Sequence, residues 1–483
     1  MRELELIIDE ALRKGLRSEE RTPRNTQALV DCSGFRVGKE GLEVAELINY
    51  PFPDTLDIYY SWPFPQFLYS NKHRILVVRD DFNMEDIVYS VDSHYDTFTQ
   101  IFATDELTFG KGGLMELADF GKYAFMTNGV VMFCWNPTVD SWHIVTPSND
   151  IPLMKTVCNF KGQLIGGGIV SDWYDCDETY IIWGKIGEAS FTLDKSNEAG
   201  FCRDPFGGKV QHVRRLGDDI IVYSSKGITR MFPAQSPATT FGFEEIHNVG
   251  IRNQGAVNGS VNEHLFVDKA GCVWRIDRGA KLTYLGYKEY MKDFLTDEDG
   301  EYYTDEYGDR AEASPNVIVS YDSSNSDFYL CSDLKGFIKS PNGMTRVCEP
   351  MSSIWYDERL LGVKKPKLLE NIEYTLVSET FDMGYRGIKT IFSVESGLSG
   401  VSEAEVALDW RTDPGTPFRR TDWKPLNNSG IVSIIVSGEE FRLCFRAKPS
   451  NTYSFSLDYF KLRWKMTDLR GLRGIYAPPP RGQ

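Results

Sequence analysis

The sequence contains no apolar run approaching the roughly 20 residues that span a bilayer, so we expect no membrane-spanning segment. Residues 1–20 mix charged side chains with leucine, unlike the apolar core of a signal peptide, which argues against export by that route. Glycine and proline, 42 and 22 of 483 residues, stay near average usage and exclude a collagen-like or low-complexity chain. A chain that is 41% hydrophobic and 25% charged is expected to fold as a globular protein.

Motifs that carry catalysis or hold cofactors are also missing. Nine cysteines form no C-x-x-C pair and six histidines are scattered singly, so no metal site is predicted. The run Gly166–Gly168 lacks the Lys-Ser/Thr of a phosphate loop and the spacing of a dinucleotide site, and we interpret it as a bend between strands. No Gly-x-Ser-x-Gly elbow is present. We therefore assign no catalytic, cofactor-binding or metal-binding residue and predict a protein that is not an enzyme and needs no cofactor.

Two acidic clusters are the remaining candidates for ligand binding. The first matches positions three, five, six and twelve of a calcium loop, but Leu295 stands at position one, where an oxygen ligand is essential: Asp297, Asp299, Gly300 and Glu306. The second surrounds two aromatic residues: Asp172, Trp173, Tyr174, Asp175, Asp177 and Glu178. A solvated loop is the simplest interpretation of the second cluster. The alternative is a sugar site in which Trp142, Trp173 and Tyr174 are stacking platforms.

Between residues 54 and 357, short β-branched and aromatic runs alternate with Gly, Asn, Asp and Ser turns, which predicts strands. β-Hairpins are predicted where two apolar runs flank a turn: Arg74–Val91, Tyr123–Cys134, Tyr180–Leu193, Ile220–Phe232, Leu265–Ile276 and Phe328–Ile338. The turn glycines Gly129, Gly227, Gly271 and Gly336 are 98, 44 and 65 residues apart, against a propeller blade period of about 40 to 50. About six such units predict an all-β chain with a β-propeller of five to seven blades. Two consecutive β-sandwiches remain the alternative, since no strict blade motif is present.

A chain of 483 residues is too long for one core, so several domains are expected. Residues 1–50 are predicted as an N-terminal helix and extended arm, with the helix within 1–20. Residues 51–361 are predicted as the propeller, with an acidic insertion at 288–313. An antiparallel β-sandwich is expected over 362–470 and a Pro-rich C-terminal tail over 471–483. Within the sandwich, the apolar phase of the last strand changes near Tyr459-Phe460, which predicts a β-bulge.

The balance of acidic and basic residues differs between the two sides of the boundary at residue 361. The net charge of −16 is the balance of 55 acidic and 35 basic residues in 1–361 and 14 acidic and 18 basic residues in 362–483. An acidic surface disfavours a protein that grips nucleic acid, because neutralising phosphates needs a concentrated basic face. It is compatible with a conduit whose wall repels a polyanion and so leaves it mobile.

Three regions together resemble the nozzle, or tail tubular protein B-like, proteins of short-tailed bacteriophages, which are also described as packaged-DNA stabilisation proteins. The first region is Arg24–Leu29 followed by Gly34–Val37 and Glu40–Leu42, and the second is the degenerate propeller. The third comprises segments of the C-terminal domain: Glu379–Gly384, Asp422-Trp423, Val436–Arg442, Leu457–Tyr459 and Leu462–Arg470.

The resemblance implies a structural virion protein in a homo-oligomeric ring, with a hexamer favoured, at the head-to-tail or nozzle region of the tail. Such a ring retains packaged DNA and conducts it without sequence preference during ejection. Its implied partners are the portal adaptor and tail fibre or spike proteins, and it is assembled in the host cytoplasm. Two alternatives remain: a carbohydrate-binding or glycoside-cleaving propeller, and a propeller scaffold that binds other proteins.

Overall fold

A computed structural model describes residues 3–18, 28–46, 48–53, 64–70, 72–80, 85–104, 113–234, 240–292, 317–332, 335–364, 373–399, 403–448 and 455–467. Its regular structure is almost entirely β-strand, which confirms the all-β prediction. The three helical segments among the described residues are short: α1 (Glu10–Lys14), the 3-10 helix Gln254–Ala256 and α2 (Lys288–Lys292). Within the described residues, no helix has the length and apolar character needed to cross a membrane.

The strands follow in chain order. The N-terminal strands are β1 (Leu4–Ile8), β2 (Leu29–Ser33), β3 (Phe35–Val37) and β4 (Leu42–Val44). The next twelve are β5 (Gln66–Tyr69), β6 (Arg74–Asp80), β7 (Glu85–Val91), β8 (Phe98–Thr104), β9 (Glu116–Phe120), β10 (Tyr123–Thr127), β11 (Met132–Asn136), β12 (Ser141–Ile144), β13 (Met154–Phe160), β14 (Gln163–Ile169), β15 (Tyr180–Ile186) and β16 (Gly200–Arg203).

The central part of the chain continues with β17 (Val210–Leu216), β18 (Asp219–Ser224), β19 (Ile228–Pro233), β20 (Phe241–His247), β21 (Val257–Gly259), β22 (Glu263–Val267), β23 (Val273–Asp277), β24 (Lys281–Gly286), β25 (Ile318–Asp322), β26 (Asp327–Cys331), β27 (Gly336–Lys339) and β28 (Met344–Arg346). The last strands are β29 (Ile354–Asp357), β30 (Arg359–Gly362), β31 (Tyr374–Ser378), β32 (Lys389–Ser399), β33 (Ala404–Arg411), β34 (Arg419–Arg420), β35 (Lys424–Pro425), β36 (Ile431–Val432), β37 (Val436–Gly438), β38 (Glu440–Ala447) and β39 (Ser456–Met466).

Strands β5 to β24 form five successive four-stranded antiparallel sheets, each built from one continuous stretch of chain, and β25 to β28 are four successive antiparallel strands of a ten-stranded sheet. We call β25 to β28 the sixth sheet. Apolar side chains of each sheet share a buried cluster with those of the next sheet, as Phe125 does with Leu164 and Ile221 with Phe266. The hairpin β29–β30 packs on the sixth sheet and also on the first, where Trp355 stacks on Phe67 with ring centroids 3.9 Å apart. The contacts therefore return to the first sheet, and the arrangement is propeller-like. We call residues 46–361 the propeller-like unit.

Most of the predicted hairpins are confirmed. The pairs β6–β7, β10–β11, β18–β19, β22–β23 and β26–β27 are antiparallel neighbours. The hairpin predicted over Tyr180–Leu193 is wrong, because β15 pairs with β14 and with Gly200–Arg203, while Phe191 is buried outside any strand. Only the start of the predicted insertion 288–313 is described, as α2, and the calcium-loop residues lie outside the described part of the chain.

The glycine run also differs from its prediction. Gly166–Gly168 lies inside β14 and is fully buried, whereas a bend was predicted. The reason is close packing: a Cβ on Gly166 would lie 2.1 Å from the sulfur of Met154 on the neighbouring strand β13, and one on Gly167 would lie 2.5 Å from a methyl of Val210 on the fourth sheet. Glycine here gives room to a side chain of the same sheet and lets the next sheet approach.

A second unit contains strands from both ends of the chain. One sheet has the order β3-β4-β39-β32-β36, with β1 paired to β39 and β37 paired to β32. The facing sheet contains β2, β31, β38, β33, β34 and β35, and both sheets bury their apolar faces in one core, where Phe445 contacts Phe460 with ring centroids 5.7 Å apart. We call it the two-sheet unit. Through the single parallel pair Ser33↔Arg346, β2 joins β28, so the facing sheet is continuous with the sixth sheet.

The N-terminal prediction needs a correction. A helix was expected within residues 1–20, but only Glu10–Lys14 is helical, and Leu4–Ile8 is a strand paired along β39. The apolar spacing fits both, because Leu4, Leu6 and Ile8 also alternate with period two and pack against the core. The predicted bulge in β39 is confirmed: Ser396 pairs with Phe460 and Leu398 with Leu457, which leaves one extra residue on β39.

Candidate functional site

The two-sheet unit presents one face that is rich in arginine. Side chains alternate along β33 and β38, so Leu408 and Phe445 point into the core with 0% exposure, while the alternate residues lie on the opposite face. We define the arginine face by six residues: Arg411, Arg420, Arg442, Arg446, Phe418 and Trp423. They come from β33, β34, β38 and the segments that connect them. Arg419 is paired with Trp410, which packs against the core, so these two residues lie on the other side of the sheet.

Carboxylates fix three of these arginines. Arg446 Nε donates to Glu405 Oε2 at 2.7 Å, and Arg411 Nε donates to Glu440 Oε2 at 2.6 Å, both between directly opposed residues of β33 and β38. Arg420 donates to both oxygens of Asp409 at 2.6 and 2.9 Å. These hydrogen bonds raise the pKa of Arg420, so its charge is permanent.

Aromatic rings hold the guanidinium groups from a second side. The Arg411 and Arg442 guanidinium carbons lie 4.4 and 4.3 Å from the Phe418 ring centroid. The Arg446 and Arg420 guanidinium carbons lie 4.5 and 5.6 Å from the Trp423 ring centroid. Stacking restricts each side chain while it leaves N–H groups free to donate, which lowers the entropy lost on binding an anion.

One arginine of this face keeps binding capacity. Among the described residues, Arg442 forms no ion pair with a carboxylate, and the hydrogen bond that it makes is to Thr380 Oγ1 at 3.0 Å. Beside Arg446 lies a groove of about 440 Å³, lined by Glu373, Glu403, Ala404, Glu405, Pro425, Leu426, Arg446, Ala447 and Lys448. The arrangement can bind carboxylate groups on a protein surface at several points at once.

A separate polar network lies in the middle of the propeller-like unit. Glu116 in the second sheet accepts a hydrogen bond from Thr156 of the third sheet at 2.5 Å and is hydrogen-bonded to His212 Nδ1 of the fourth. Gln254, just before the fifth sheet, donates to Glu116 at 2.9 Å and to Leu114 O at 3.1 Å. Burial lowers the pKa of nearby Arg214, whose guanidinium contacts His212 at 3.3 Å. Direct hydrogen bonds between the second sheet and the entry to the fifth thus cross the middle of the unit.

The structure does not bring together the three rings named for the alternative sugar site. Trp173 is only 1% exposed and donates from Nε1 to Asn149 O at 3.0 Å, so its ring belongs to the core between the second and third sheets. Trp142 packs in a different cluster, beside His73 and Trp135. Glu178 binds Lys155 and Lys209, and these ion pairs lower its pKa against the effect of burial.

Sequence reasoning did not single out the arginine face. The Asp422-Trp423 and Val436–Arg442 segments entered only as parts of the family resemblance. A pattern that indicates an arginine-rich strand face is present in the sequence, because Arg442 and Arg446 alternate with Phe441, Leu443 and Phe445 along β38. The pairing of β38 with β33, which brings carboxylates opposite those arginines, depends on tertiary structure.

Comparisons with known proteins add little to this picture. No protein-family model and no curated protein sequence matches the chain. Two solved structures of an extracellular domain from B. thetaiotaomicron, described as part of a hybrid two-component system in one case and of a one-component system in the other, have TM-scores of 0.39 and 0.38, with 11% and 12% identity. They are matched over 69% and 68% of this chain and 38% of theirs. PorZ, a surface component of the type-IX secretion system of Porphyromonas gingivalis, has a TM-score of 0.34 and 10% identity over 65% of this chain and 35% of its own.

Proposed function

We propose that this chain is a structural subunit of a closed ring in a bacteriophage tail, with a seven-bladed propeller and a β-sandwich in each copy. The blades are the five four-stranded sheets, the sixth sheet and the β29–β30 hairpin, which the bridge from Asn49 to Leu361 extends. In this proposal the ring retains packaged DNA and lets it pass on ejection. The portal adaptor and tail fibre or spike proteins are its proposed neighbours, in the virion.

The observation that carries the proposal is the separation of charge between the two units. Residues 46–361 contain 46 acidic and 27 basic side chains, whereas the two-sheet unit bears the arginine face. In a head-to-tail ring, the arginine face of one copy contacts the acidic unit of the next, and closure fixes the copy number, for which we favour six. The acidic surface left facing the lumen repels phosphates, so DNA slides instead of binding.

The polar network supports a DNA channel that lies between copies and does not run through the middle of one subunit. Hydrogen bonds from Gln254 and Thr156 to Glu116 occupy the middle of the propeller-like unit, where a buried carboxylate with several donors is costly to displace. A polymer as wide as duplex DNA therefore has its route through the assembled ring, outside the individual subunit.

The proposal is tested by the mass of the purified chain in solution and by its position in virions. We expect mass photometry to find a closed ring of a small fixed multiple, and mass spectrometry of purified particles to find the chain in the tail in that multiple. The variant Arg442→Glu should raise the concentration needed for assembly at least tenfold, because Arg442 lacks a carboxylate partner in its own copy. Added salt should weaken assembly of the unaltered chain.

The matched control is Arg278→Glu. This arginine belongs to the propeller-like unit, and its side chain is 63% exposed beside Asp218. Its reversal should leave assembly within about twofold of the unaltered chain. A chain that stays monomeric at all concentrations, or equal effects of the two charge reversals, would contradict the proposal.

A further inference from the structure

The third sheet of the propeller-like unit carries exposed aromatic rings at its outer edge. Tyr174 is 42% exposed and Phe201, on the edge strand β16, is 40% exposed. The buried Trp173 ring supports both of them, with centroids 4.8 Å from Tyr174 and 5.9 Å from Phe201, and Tyr180 lies 5.9 Å from Phe201. We call these four residues the aromatic patch. The two exposed rings are held against the same buried ring, and grouped exposed apolar side chains mark a binding surface more often than single ones do.

The backbone beneath the patch is held in an uncommon conformation. Tyr174 and Asp175 have φ angles of 46° and 57°, in the left-handed region that non-glycine residues seldom occupy. The turn is closed by the hydrogen bond from Cys176 N to Trp173 O at 2.9 Å. Two such residues in succession cost free energy, and such strain is concentrated at functional sites. Here the turn holds the Tyr174 side chain in solvent while the Trp173 ring stays buried.

Carboxylates surround the patch. Asp172, Asp175 and Asp177 are all exposed. Asp177 already accepts hydrogen bonds from Thr179 N and Oγ1, at 2.8 and 2.6 Å. Within the described part of the chain, neither Asp172 nor Asp175 has an ion-pair partner. The patch therefore combines apolar rings with unneutralised negative charge and fits an apolar ligand that also carries a cation.

The chain itself contains such a ligand. Its sequence Ala477-Pro478-Pro479-Pro480-Arg481 has three consecutive prolines followed by an arginine. Proline runs favour the extended polyproline II helix, which loses little entropy on binding and docks in grooves lined by aromatic side chains. A flanking arginine beside a carboxylate gives such a segment its direction. We propose that the aromatic patch binds residues 478–481 of a second copy of this chain, with Arg481 directed to Asp172 or Asp175.

A second copy fits better than the same copy because of where the tail starts. Described structure ends at Thr467, just after β39 in the two-sheet unit, which is continuous with the sixth sheet. The fourth and fifth sheets separate the sixth from the third on one side, and the β29–β30 hairpin and the first two sheets separate them on the other. The 11 residues from Thr467 to Pro478 reach at most about 40 Å when fully extended. This part of the inference rests on the proposed ring, in which a neighbouring copy presents its third sheet.

The first test measures the binding of a labelled peptide and does not depend on ring assembly. The probe is a fluorescein-labelled peptide of residues 471–483, and the receptor is the full-length chain in which Pro478, Pro479, Pro480 and Arg481 are each replaced by Ala, so that its own tail does not compete. We expect saturable binding by fluorescence anisotropy. Affinity should fall at least tenfold for the receptor that also carries Tyr174→Ala and Phe201→Ala. It should fall similarly for a peptide in which the three prolines are alanines.

Controls separate docking from folding. Tyr284→Ala is the matched receptor variant, because Tyr284 is 48% exposed on the edge strand β24 of the fifth sheet, and it should bind the peptide as tightly as the parent receptor. Thermal unfolding should show that each variant is folded. A peptide with Arg481→Glu should bind at least threefold more weakly. Absence of saturable binding, or equal binding by the Tyr174→Ala/Phe201→Ala receptor, would overturn the docking proposal.

Assembly provides an independent measurement. Deleting residues 476–483 should raise the concentration needed for ring formation at least tenfold and leave the thermal unfolding temperature unchanged. A ring that forms equally well without these residues would overturn docking between copies while the proposed function stands. Peptide binding as expected by a chain that never forms a ring would overturn the proposed function and support the patch.

Discussion

The propeller-like unit and the two-sheet unit are both built from antiparallel strands, but they use the chain differently. Each of the first five sheets of the propeller-like unit comes from one continuous stretch, such as β9 to β12. The two-sheet unit instead joins β1 to β39 and β2 to β31, so strands from the two ends of the chain share a core. Local sheets form with little loop-closure entropy, whereas the two-sheet unit can close only when both ends are present. The difference predicts that damage stays local in the first unit and spreads in the second.

The largest effect is expected from Leu462→Ala in the two-sheet unit. Leu462 is fully buried in the core shared by both sheets, so its truncation should lower the free energy of unfolding by about 3 kcal/mol. Hydrogen exchange should show lost protection in β31 to β39 and also in β25 to β28, because the facing sheet, which shares a core with β39, is continuous with β25 to β28. Ile435→Ala, at a residue 78% exposed, should change stability by less than about 0.5 kcal/mol. Loss of protection confined to β39 would refute the comparison.

A smaller effect is expected from Glu116→Gln in the propeller-like unit. The glutamine keeps the shape of the side chain but loses the charge that accepts hydrogen bonds from Thr156, His212 and Gln254. Hydrogen bonds to a charged group contribute about 2 kcal/mol, and we expect the free energy of unfolding from urea titration to fall by about that amount. Lost hydrogen-exchange protection should be limited to the second to fifth sheets. The exposed Glu245→Gln serves as the control, and an equal effect of the two variants would show that the network contributes nothing.

The smallest effect concerns Lys339, in the sixth sheet where the two units join. Burial lowers the pKa of this lysine from 10.5 to about 8, although Asp327 and Glu263 act in the opposite direction, and Nζ donates to Ser340 O. Between about pH 8 and 10.5 the unfolded chain holds the proton that the folded chain has lost, so stability rises with pH in this range.

Replacing Lys339 by Met removes that pH dependence. Lys339→Met should raise the free energy of unfolding by about 1 kcal/mol at pH 7, and the gain should vanish near pH 10. Thermal unfolding at the two pH values measures the difference, with the exposed Lys281→Met as control. A gain that persists at pH 10 would show that the Lys339 charge is not its cause.

The same contrast explains which parts of the fold could be predicted from the sequence. Hairpins with a turn between two apolar runs, such as the one around Asn128-Gly129, depend on neighbouring residues, and the structure confirms them. The pairing of Tyr180–Ile186 with Gly200–Arg203 skips a buried loop, and no local pattern indicates it. Residues Leu4–Ile8 were predicted as helix because their apolar spacing fits both the helical period and the period of two of a strand. Pairing with β39 makes them a strand.

The candidate site divides in the same way. The loop from Asp172 to Glu178 was visible in the sequence as acidic and aromatic, but burial of Trp173 and exposure of Phe201, 28 residues later, are tertiary facts. The arginine face needed the register of β33 against β38, which places Arg446 opposite Glu405. The sequence shows which of these residues are acidic, basic or aromatic. It does not show which strands, remote in the chain, supply their partners.

The pairing of Ser33 with Arg346 has a mechanical consequence. A bending or pulling load on either unit is carried in part by this seam, where Arg346 also binds Asp31 at 3.0 Å, because backbone pairing runs from one unit into the other. The two units are therefore coupled stiffly at this point. A torque applied to one unit would turn the other with it.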